Sequence, residues 1–291
     1  MVKSGTGNIA ASAKARLLNL ARSTSQDYNA ILVRFALERL LYRLSLSEHA
    51  NHFVLKGGML VTAWIDDQNR VTRDLDFLGY GDDDPEAMVA TFKGIMRIAA
   101  DDGLIFDSDN LSASAIREEM EYGGVRLRTN AYLESTRIPV IIDIGFGDAM
   151  SDGAQRTDYP TLLDHPPPNV RIYPPASVIA EKFHAMVMLG VINGRMKDYY
   201  DIWAIPRSVV IGPGELDAAI KATFDRRQTQ VPATRPPGLS EEMYANDDKR
   251  RQWQAYATSI ELSGLTFKEV IEAVWALVEP TCERLSAQAS E

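Results

Sequence analysis

The stretch that decides the fold is FVLKGGMLVTAWIDDQNRVTRDLD, from Phe53 to Asp76. It begins with a short apolar run, passes through Gly57 and Gly58 and a short helical segment, and ends at two aspartates. Alternate side chains of an extended segment lie on one face, so Asp74 and Asp76 are predicted to share a face. Paired carboxylates bind divalent metal ions, and a glycine turn lets backbone N–H groups approach phosphates. The stretch therefore indicates nucleotidyl transfer at the rim of a sheet.

A third acidic residue lies in an almost entirely apolar segment, residues 138–144, which is predicted to be a central strand. This residue is Asp143, and a buried carboxylate without a partner is costly. Backbone amides at a strand end are one interpretation of how it is satisfied. The favoured interpretation is a metal ion shared with Asp74 and Asp76, because those two carboxylates are further ligands for the same ion and so account for a charged residue in this strand.

The later part of the chain contributes a lysine. Residues 145–171 are rich in glycine and proline and are predicted to be irregular. Residues 178–189 follow as a predicted helix with Ser177 as its N-cap. A single lysine on a helix is commonly solvated. Lys182 is nevertheless a candidate, because it precedes the charged motif RMKDYYD at residues 195–201.

These motifs, in this order, resemble the AbiEii/MenT family of nucleotidyltransferase toxins, which belongs to the DNA polymerase β-like superfamily and to type IV toxin–antitoxin systems. The resemblance runs from about Arg34 to Trp203. It rests on Lys56-Gly57-Gly58, Thr72-x-Asp74-x-Asp76-Phe77, Val140-Ile141-Ile142-Asp143, Glu181-Lys182 and Arg195-Met196-Lys197-Asp198-Tyr199-Tyr200-Asp201.

The resemblance implies an α+β fold, with a nucleotidyltransferase core of mixed or antiparallel sheet flanked by helices. A helical C-terminal region would complete a bilobed molecule. We expect N-terminal helices over residues 1–50, the nucleotidyltransferase core over residues 51–205 and the helical C-terminal domain over residues 206–291. Length allows either one large domain or two modest ones.

The same resemblance implies an activity, namely transfer of a nucleoside monophosphate from an NTP, with Mg²⁺, to the 3′ end of tRNA. This reaction would block aminoacylation and translation, and an AbiEi-type antitoxin would be the partner. Asp74, Asp76 and Lys182 carry over as active-site residues, together with either Asp198 or Asp201, a choice that spacing leaves open.

The resulting hypothesis places two Mg²⁺ ions on Asp74, Asp76 and Asp143. The glycine turn would hold the β- and γ-phosphates, and Lys182, with Arg195, would neutralise the leaving pyrophosphate. The wider superfamily often has a serine where this chain has Gly58, so backbone contacts would replace a hydroxyl. The full set of expected nucleotide-binding residues is Lys56, Gly57, Gly58, Thr72, Lys182, Arg195, Asp198 and Asp201.

Thr72 occupies the position where some systems of this family carry a threonine or serine that is phosphorylated or otherwise targeted. Two alternative functions remain open at this point. One is transfer of AMP or UMP to a protein hydroxyl. The other is a non-catalytic module that binds RNA or an antitoxin, which clustered carboxylates disfavour because RNA is a polyanion.

Charge and composition limit the partners. The net charge is −9, and residues 51–210 carry 15 Lys and Arg against 24 Asp and Glu, so a polyanion must bind local basic patches. Arg34, Arg39 and Arg43 lie on one predicted helix, either as a solvated face or as a wall for nucleic acid. Residues 226–227 and 249–251 are basic clusters with the same two interpretations.

The remaining composition indicates a cytoplasmic enzyme. A single cysteine, Cys282, excludes an intramolecular disulfide and a cysteine-cluster metal site. No apolar run approaches the ~20 residues that span a bilayer, and the N-terminus lacks the pattern of a signal peptide. We therefore expect no membrane association.

Overall fold

The structure is a computed structural model that describes residues 6–65, 67, 69–81, 83–116, 124–147 and 153–288. Its contacts divide the chain into two units. The first unit consists of Met1–Ala63, Val71–Gly147 and Ala154–Ile172, and the second of Trp64–Arg70, Asp148–Gly153 and Tyr173–Glu291. Each unit is described by itself below.

The first unit holds the sheet and four helices. In chain order its elements are α1 (Thr6–Ser23), α2 (Tyr28–Ser45), β1 (Phe53–Lys56), α3 (Gly57–Trp64), β2 (Leu75–Gly79), α4 (Pro85–Met96), β3 (Leu104–Phe106), β4 (Ser112–Ile116), β5 (Gly124–Leu133), β6 (Thr136–Phe146), β7 (Gln155–Asp158) and β8 (Asn169–Ile172).

The sheet of the described residues is mixed, with strand order β3-β5-β6-β2-β1-β8-β7, and β4 also pairs with β5. β2 runs antiparallel to β1 and parallel to β6, so it lies at the centre. One face packs against helices through the alternating apolar residues of β5 and β6 and through the rings of Phe53, Phe77 and Phe92. The prediction of an α+β fold with a mixed sheet flanked by helices is confirmed.

Local sequence accounts for the helix starts. Asp27 and Asp84 are the N-caps of α2 and α4, and their carboxylates accept hydrogen bonds from Ala30 N and Ala87 N at 2.8 Å each. Residues 145–171, predicted to be irregular, contain β7 and the start of β8. Both strands are only four residues long: β7 is entirely polar, and β8 alternates polar and apolar residues over too few positions to indicate a strand.

Both interpretations of the arginines on α2 are wrong for Arg39 and Arg43, whose side chains are almost completely buried. Arg43 donates to the two carboxylate oxygens of Asp102 at 2.6 and 3.0 Å, and Arg39 donates to the same carboxylate at 3.2 Å. Asp102 lies beyond α4 in sequence, so no local pattern on α2 indicated a buried partner.

The second unit is helical. Its elements are α5 (Pro175–Leu189), a 3-10 turn (Gly190–Ile192), α6 (Met196–Ser208), α7 (Pro213–Arg226), a second 3-10 turn (Pro237–Leu239), α8 (Glu241–Ala245), α9 (Asp247–Ser259) and α10 (Phe267–Gln288). The prediction that Ser177 is the N-cap of α5 is wrong. The N-cap is Pro174, and Ser177 is buried inside the helix, because Pro175 at the first position starts it earlier.

Two further features of this unit bear on its partners. Among the described helices, one segment, Pro175–Ile192, is long and apolar enough to cross a membrane, a test that core helices also pass, and 44% of it is buried. Lys249 is buried and donates to the carbonyls of Ile192 and Asn193 at 3.1 and 2.9 Å, so it is not part of a solvated basic cluster. Arg250 and Arg251 instead pair with acids one turn earlier in α9.

Candidate active site

Three carboxylates converge at the central strands β2 and β6 of the first unit's sheet. Asp76 in β2 lies directly opposite Asp143 in the parallel strand β6, and Asp74 precedes β2 by one residue. One oxygen of each carboxylate can be chosen so that all three lie within 4.8 Å of one another, and all three residues are partly exposed. Alternation in β2 and the β2–β6 register together bring the three predicted aspartates to one place.

The glycine turn lies directly against this cluster. Gly57 has φ +63°, a conformation that L side chains rarely adopt, and a Cβ there would lie 2.0 Å from Asp76 Oδ2. The backbone N–H of Gly58 donates to the same oxygen at 3.3 Å. Gly57 is therefore required by the close approach of Asp76, and the first N–H of the turn is directed at that carboxylate.

The electrostatics of the cluster favour a bound cation. Burial and, after it, the neighbouring charge of Asp74 raise the pKa of Asp76 to about 6, while Lys56, its cross-strand partner, acts in the opposite direction. Loss of hydration is the largest cause of this shift, and the negative charges of Asp74 and Asp143 add to it, so a cation bound here would stabilise the ionised carboxylates. Three carboxylate oxygens at this separation are the donors that a hard divalent ion such as Mg²⁺ prefers, so the residues fit a metal ion.

Arg126 is a residue of the cluster that sequence analysis did not identify. It lies opposite Asp143 in the antiparallel β5–β6 pair, and its Nε donates to Asp143 Oδ1 at 2.6 Å while Nη2 donates to Oδ2. These hydrogen bonds raise the pKa of Arg126. Asp143 therefore already has an ion-pair partner in Arg126, and the metal ion that it was expected to share with Asp74 and Asp76 stays a prediction, which the close approach of the three carboxylates supports. The strand register, which the sequence does not contain, creates this pair.

Thr72 supports Asp74. Its hydroxyl donates to Asp74 Oδ1 at 2.9 Å, and the residue is only 4% exposed. In this conformation the hydroxyl orients a carboxylate of the cluster and is shielded from a modifying enzyme. A direct contact between Thr72 and a nucleotide stays a prediction.

The remaining predicted residues form a charged cluster inside the second unit. Lys182 Nζ donates to Asp198 and lies 2.9 Å from Asp201 Oδ2. Arg70 donates to both oxygens of Asp201, at 2.8 and 2.7 Å, and Asp201 is fully buried. Arg195 is 3.9 Å from Asp198. Sequence analysis missed Arg70, because its partner lies 131 residues away.

These contacts fix the protonation of the second cluster. Burial by itself would raise the pKa of Asp201, but the positive charges of Lys182 and Arg70 hold this pKa below its usual range. Burial likewise opposes ionisation of Lys182, and Asp198 and Asp201 nevertheless raise its pKa. Lys182 is therefore a permanent cation held by two carboxylates, of which only Asp198 reaches solvent, at 15% side-chain exposure.

Comparison with known proteins gives one matching family and three matching chains of solved structures, among them the following two. The model of the family described as "Nucleotidyl transferase AbiEii toxin, Type IV TA system" matches residues 39–278. A crystal structure of a candidate nucleotidyltransferase from H. pylori is 10% identical, with a TM-score of 0.43, and the match covers 88% of this chain and 96% of that chain. The crystal structure of JHP933 from Helicobacter pylori is 12% identical, with a TM-score of 0.40 and coverages of 88% and 93%. A search of curated proteins finds no match.

Proposed function

Because the chain belongs to the AbiEii family of nucleotidyltransferase toxins, we propose that it transfers a nucleoside monophosphate from an NTP to the 3′ end of tRNA. The added nucleotide would block aminoacylation and therefore translation. The observation that carries this proposal is the convergence of Asp74, Asp76 and Asp143 within 4.8 Å. An RNA-binding module would gain nothing from three carboxylates facing a polyanion.

Asp74, Asp76 and Asp143 are the residues that would hold Mg²⁺. When bound, the ion would neutralise charge on the triphosphate and lower the pKa of the acceptor hydroxyl. Thr72 and Arg126 orient the two outer carboxylates, and Gly58 orients the middle one.

The chain's own groups bind and orient the reactants. The turn at Gly57 and Gly58, at the positive end of α3, would hold the β- and γ-phosphates, with Lys56 beside it. The acceptor hydroxyl oxygen forms a bond to the α-phosphorus, the bond from that phosphorus to the β-phosphate oxygen breaks, and pyrophosphate leaves. The hydroxyl proton passes to a carboxylate of the cluster.

In the second unit, Lys182 would supply positive charge to the leaving pyrophosphate, and Arg195 would assist it. Asp198 is the better candidate for a functional aspartate of the RMKDYYD motif, because it is partly exposed. Asp201 is fully buried and bonded to Arg70. These roles are proposals to be tested by substitution.

The partner that would restrain this activity is an AbiEi-type antitoxin, and the site of action would be the cytoplasm, where tRNA is charged. The type IV family of the chain supports a toxin–antitoxin pair. The antitoxin type, the preferred NTP and the tRNA acceptor belong to the proposal.

The test is transfer from each of four α-³²P-labelled NTPs, with Mg²⁺, to total tRNA and separately to total cell protein. The wild-type chain is expected to label tRNA at its 3′ end. The Asp74→Asn variant is expected to transfer the nucleotide at least about 100-fold more slowly, as is typical for loss of a charged catalytic group. Asp101→Asn removes an exposed carboxylate outside the cluster and should retain full activity.

Label in protein but not in tRNA would overturn the proposed acceptor and favour transfer to a protein hydroxyl. Equal labelling of tRNA by the wild type and Asp74→Asn would overturn the assignment of the site. Expression of the same three chains in cells gives a second measure, because growth arrest should require Asp74.

A further inference from the structure

One face of β5 and β6 in the first unit is not covered by the helices that the structure describes in that unit. The opposite face carries the buried apolar residues of both strands and contacts α1, α2 and α4. The uncovered face, here called the arginine face, is made of alternate residues of the two paired strands. Its members are Arg126, Arg128, Asn130 and Tyr132 of β5, and Arg137, Pro139, Ile141 and Asp143 of β6.

The arginine face carries positive charge in a chain whose net charge is −9. Arg128 and Arg137 are exposed and donate to neutral groups, namely Ser114 Oγ at 3.2 Å and Asn130 Oδ1 at 2.8 Å. Among the residues that the structure describes, no carboxylate lies within ion-pair distance of either guanidinium. Five of the ten other described arginines of the first unit have such a partner, as Arg97 has in Asp109 at 2.7 Å. The charge of Arg128 and Arg137 is therefore available to a ligand.

The face also offers surface for bases. Tyr132 is partly exposed and lies opposite Arg137, and Pro139 and Ile141 are exposed or partly exposed beside them. Aromatic side chains stack on bases without sequence preference, and arginines bind the phosphates between them.

The arginine face leads directly to the carboxylate cluster. The cross-strand pairs run in order from Arg126 and Asp143 at one end to Tyr132 and Arg137 at the other. At about 3.4 Å per residue this is a distance of about 20 Å, which accommodates several nucleotides of an extended strand. A strand bound there with its 3′ end at Asp143 would place its terminal hydroxyl at the cluster.

We propose that the arginine face is the docking surface for the single-stranded 3′ end of the RNA acceptor, with Arg128 and Arg137 on phosphates and Tyr132 stacked on a base. This inference rests on the proposed function and adds the surface by which the acceptor is recognised. Arg126 takes part by orienting Asp143, where the acceptor strand ends.

The experiment compares Arg128→Ala/Arg137→Ala with wild type, using a fluorescent single-stranded RNA 12-mer for binding and tRNA for transfer. The double variant should raise the KM for tRNA about tenfold or more and leave the KM for NTP unchanged. The slope of log K against log salt should fall in magnitude by about 1.4, or about 0.7 for each lost phosphate contact on a single strand. Tyr132→Ala should weaken RNA binding about fivefold or more, and Tyr132→Phe should retain it.

Arg156→Ala is the matched control. Arg156 is exposed on β7 at the other edge of the sheet and donates only to neutral groups, Asn169 and Asn51. It should leave binding and the salt slope unchanged. All variants alter partly or fully exposed side chains, and circular dichroism checks that each is folded.

The outcomes separate this inference from the proposed function. If the wild type extends tRNA and the double variant keeps its KM and salt slope, the docking surface is wrong and the function stands. If the wild type labels protein and no RNA, the docking surface and the proposed acceptor are both wrong. If Arg156→Ala weakens binding as much as the double variant, binding is diffuse and the arginine face is not the docking surface.

Discussion

At the residue scale, Asp76 lies where the role proposed for its carboxylate would be gained at the expense of the stability of the fold. It is held between Asp74 and Asp143 and against Gly57, and burial raises its pKa to about 6. An ionised carboxylate at this position costs up to about 3 kcal/mol relative to its ordinary environment. Catalytic sites commonly carry such a cost, because charges that repel one another are needed to bind an ion or a substrate.

Asp76→Asn is therefore expected to raise the stability of the metal-free protein at pH 8 by up to about 3 kcal/mol while abolishing transfer. The asparagine carbonyl can still accept the hydrogen bond from Gly58 N. Thermal unfolding in EDTA and in Mg²⁺ measures both effects, because Mg²⁺ should stabilise the wild type and not the variant. A variant less stable than wild type in EDTA would show that the fold needs the charge. Asp101→Asn is the control for loss of one surface charge.

Glu38 should give the protein a pH-dependent stability that is independent of the site. It is fully buried in α2, accepts from Leu162 N at 2.7 Å, and has Arg39 at 3.7 Å and Arg34 nearby. Burial raises its pKa from 4.5 to about 7. The folded state then binds the proton more tightly than the unfolded state, so this stabilisation is complete below pH 4.5 and is lost as pH rises through 7.

The free energy of unfolding should fall by up to about 3 kcal/mol between pH 4.5 and 8 on account of Glu38. Glu38→Gln removes the titrating proton and should flatten this part of the curve. Urea titrations at four pH values measure the change, with Glu48→Gln, 89% exposed, as the control. An unchanged slope in Glu38→Gln would mean that another group causes the pH dependence.

At the scale of elements, the turn from β1 to α3 is the most constrained connection near the cluster. Gly57→Ala would put a methyl group 2.0 Å from the Asp76 carboxylate in a backbone conformation with φ +63°. The left-handed conformation alone costs about 1–2 kcal/mol for an alanine. We expect a loss of stability of at least that size and loss of transfer, measured by urea unfolding and by tRNA labelling.

Gly94→Ala is the matched control for that substitution. Gly94 lies in α4, and a Cβ there would meet nothing within 4 Å. It should stabilise the protein by about 0.5–1 kcal/mol, because alanine loses less backbone freedom in a helix than glycine does. Similar effects of the two substitutions would contradict the role given to Gly57.

The link between α5 and α6 gives a contrast between two aspartates of one motif. Asp201→Asn leaves Arg70 without its carboxylate in a fully buried position, and we expect a loss of about 3–5 kcal/mol in urea unfolding. Asp198→Asn alters a partly exposed pair and should cost about 1 kcal/mol. Equal costs would show that Asp201 is not the structural member. Loss of transfer in a well-folded Asp198→Asn would support its functional role.

At the scale of the whole molecule, the features that could be predicted from the sequence were those encoded in local residue patterns or implied by the family resemblance. The spacing of Asp74 and Asp76, and a charge within an apolar strand at Asp143, led to a cluster that the structure brings together. The partners Arg126 and Arg70 were missed, because each meets its aspartate through strand register or across a long separation in sequence.

The errors have the same cause. Arg39 and Arg43 were interpreted as surface charges because a helix pattern does not reveal a buried carboxylate supplied by a distant loop. The strands β7 and β8 were missed because each has only four residues, and their pairing with other strands makes them part of the sheet. Contacts between segments that are distant in the chain were thus the features of the fold that could not be predicted from the sequence.

The parallel pairing of β2 with β6 also determines when during synthesis the acidic cluster can be completed. A ribosome that has released β2 has made two of the three carboxylates, and the third arrives only with β6. A nascent chain cut short before that strand lacks both Asp143 and a central strand of the sheet. Under the proposed function, products that end before β6 would lack a complete acidic cluster and would be inactive, and an antitoxin would need to meet only chains that have passed this point.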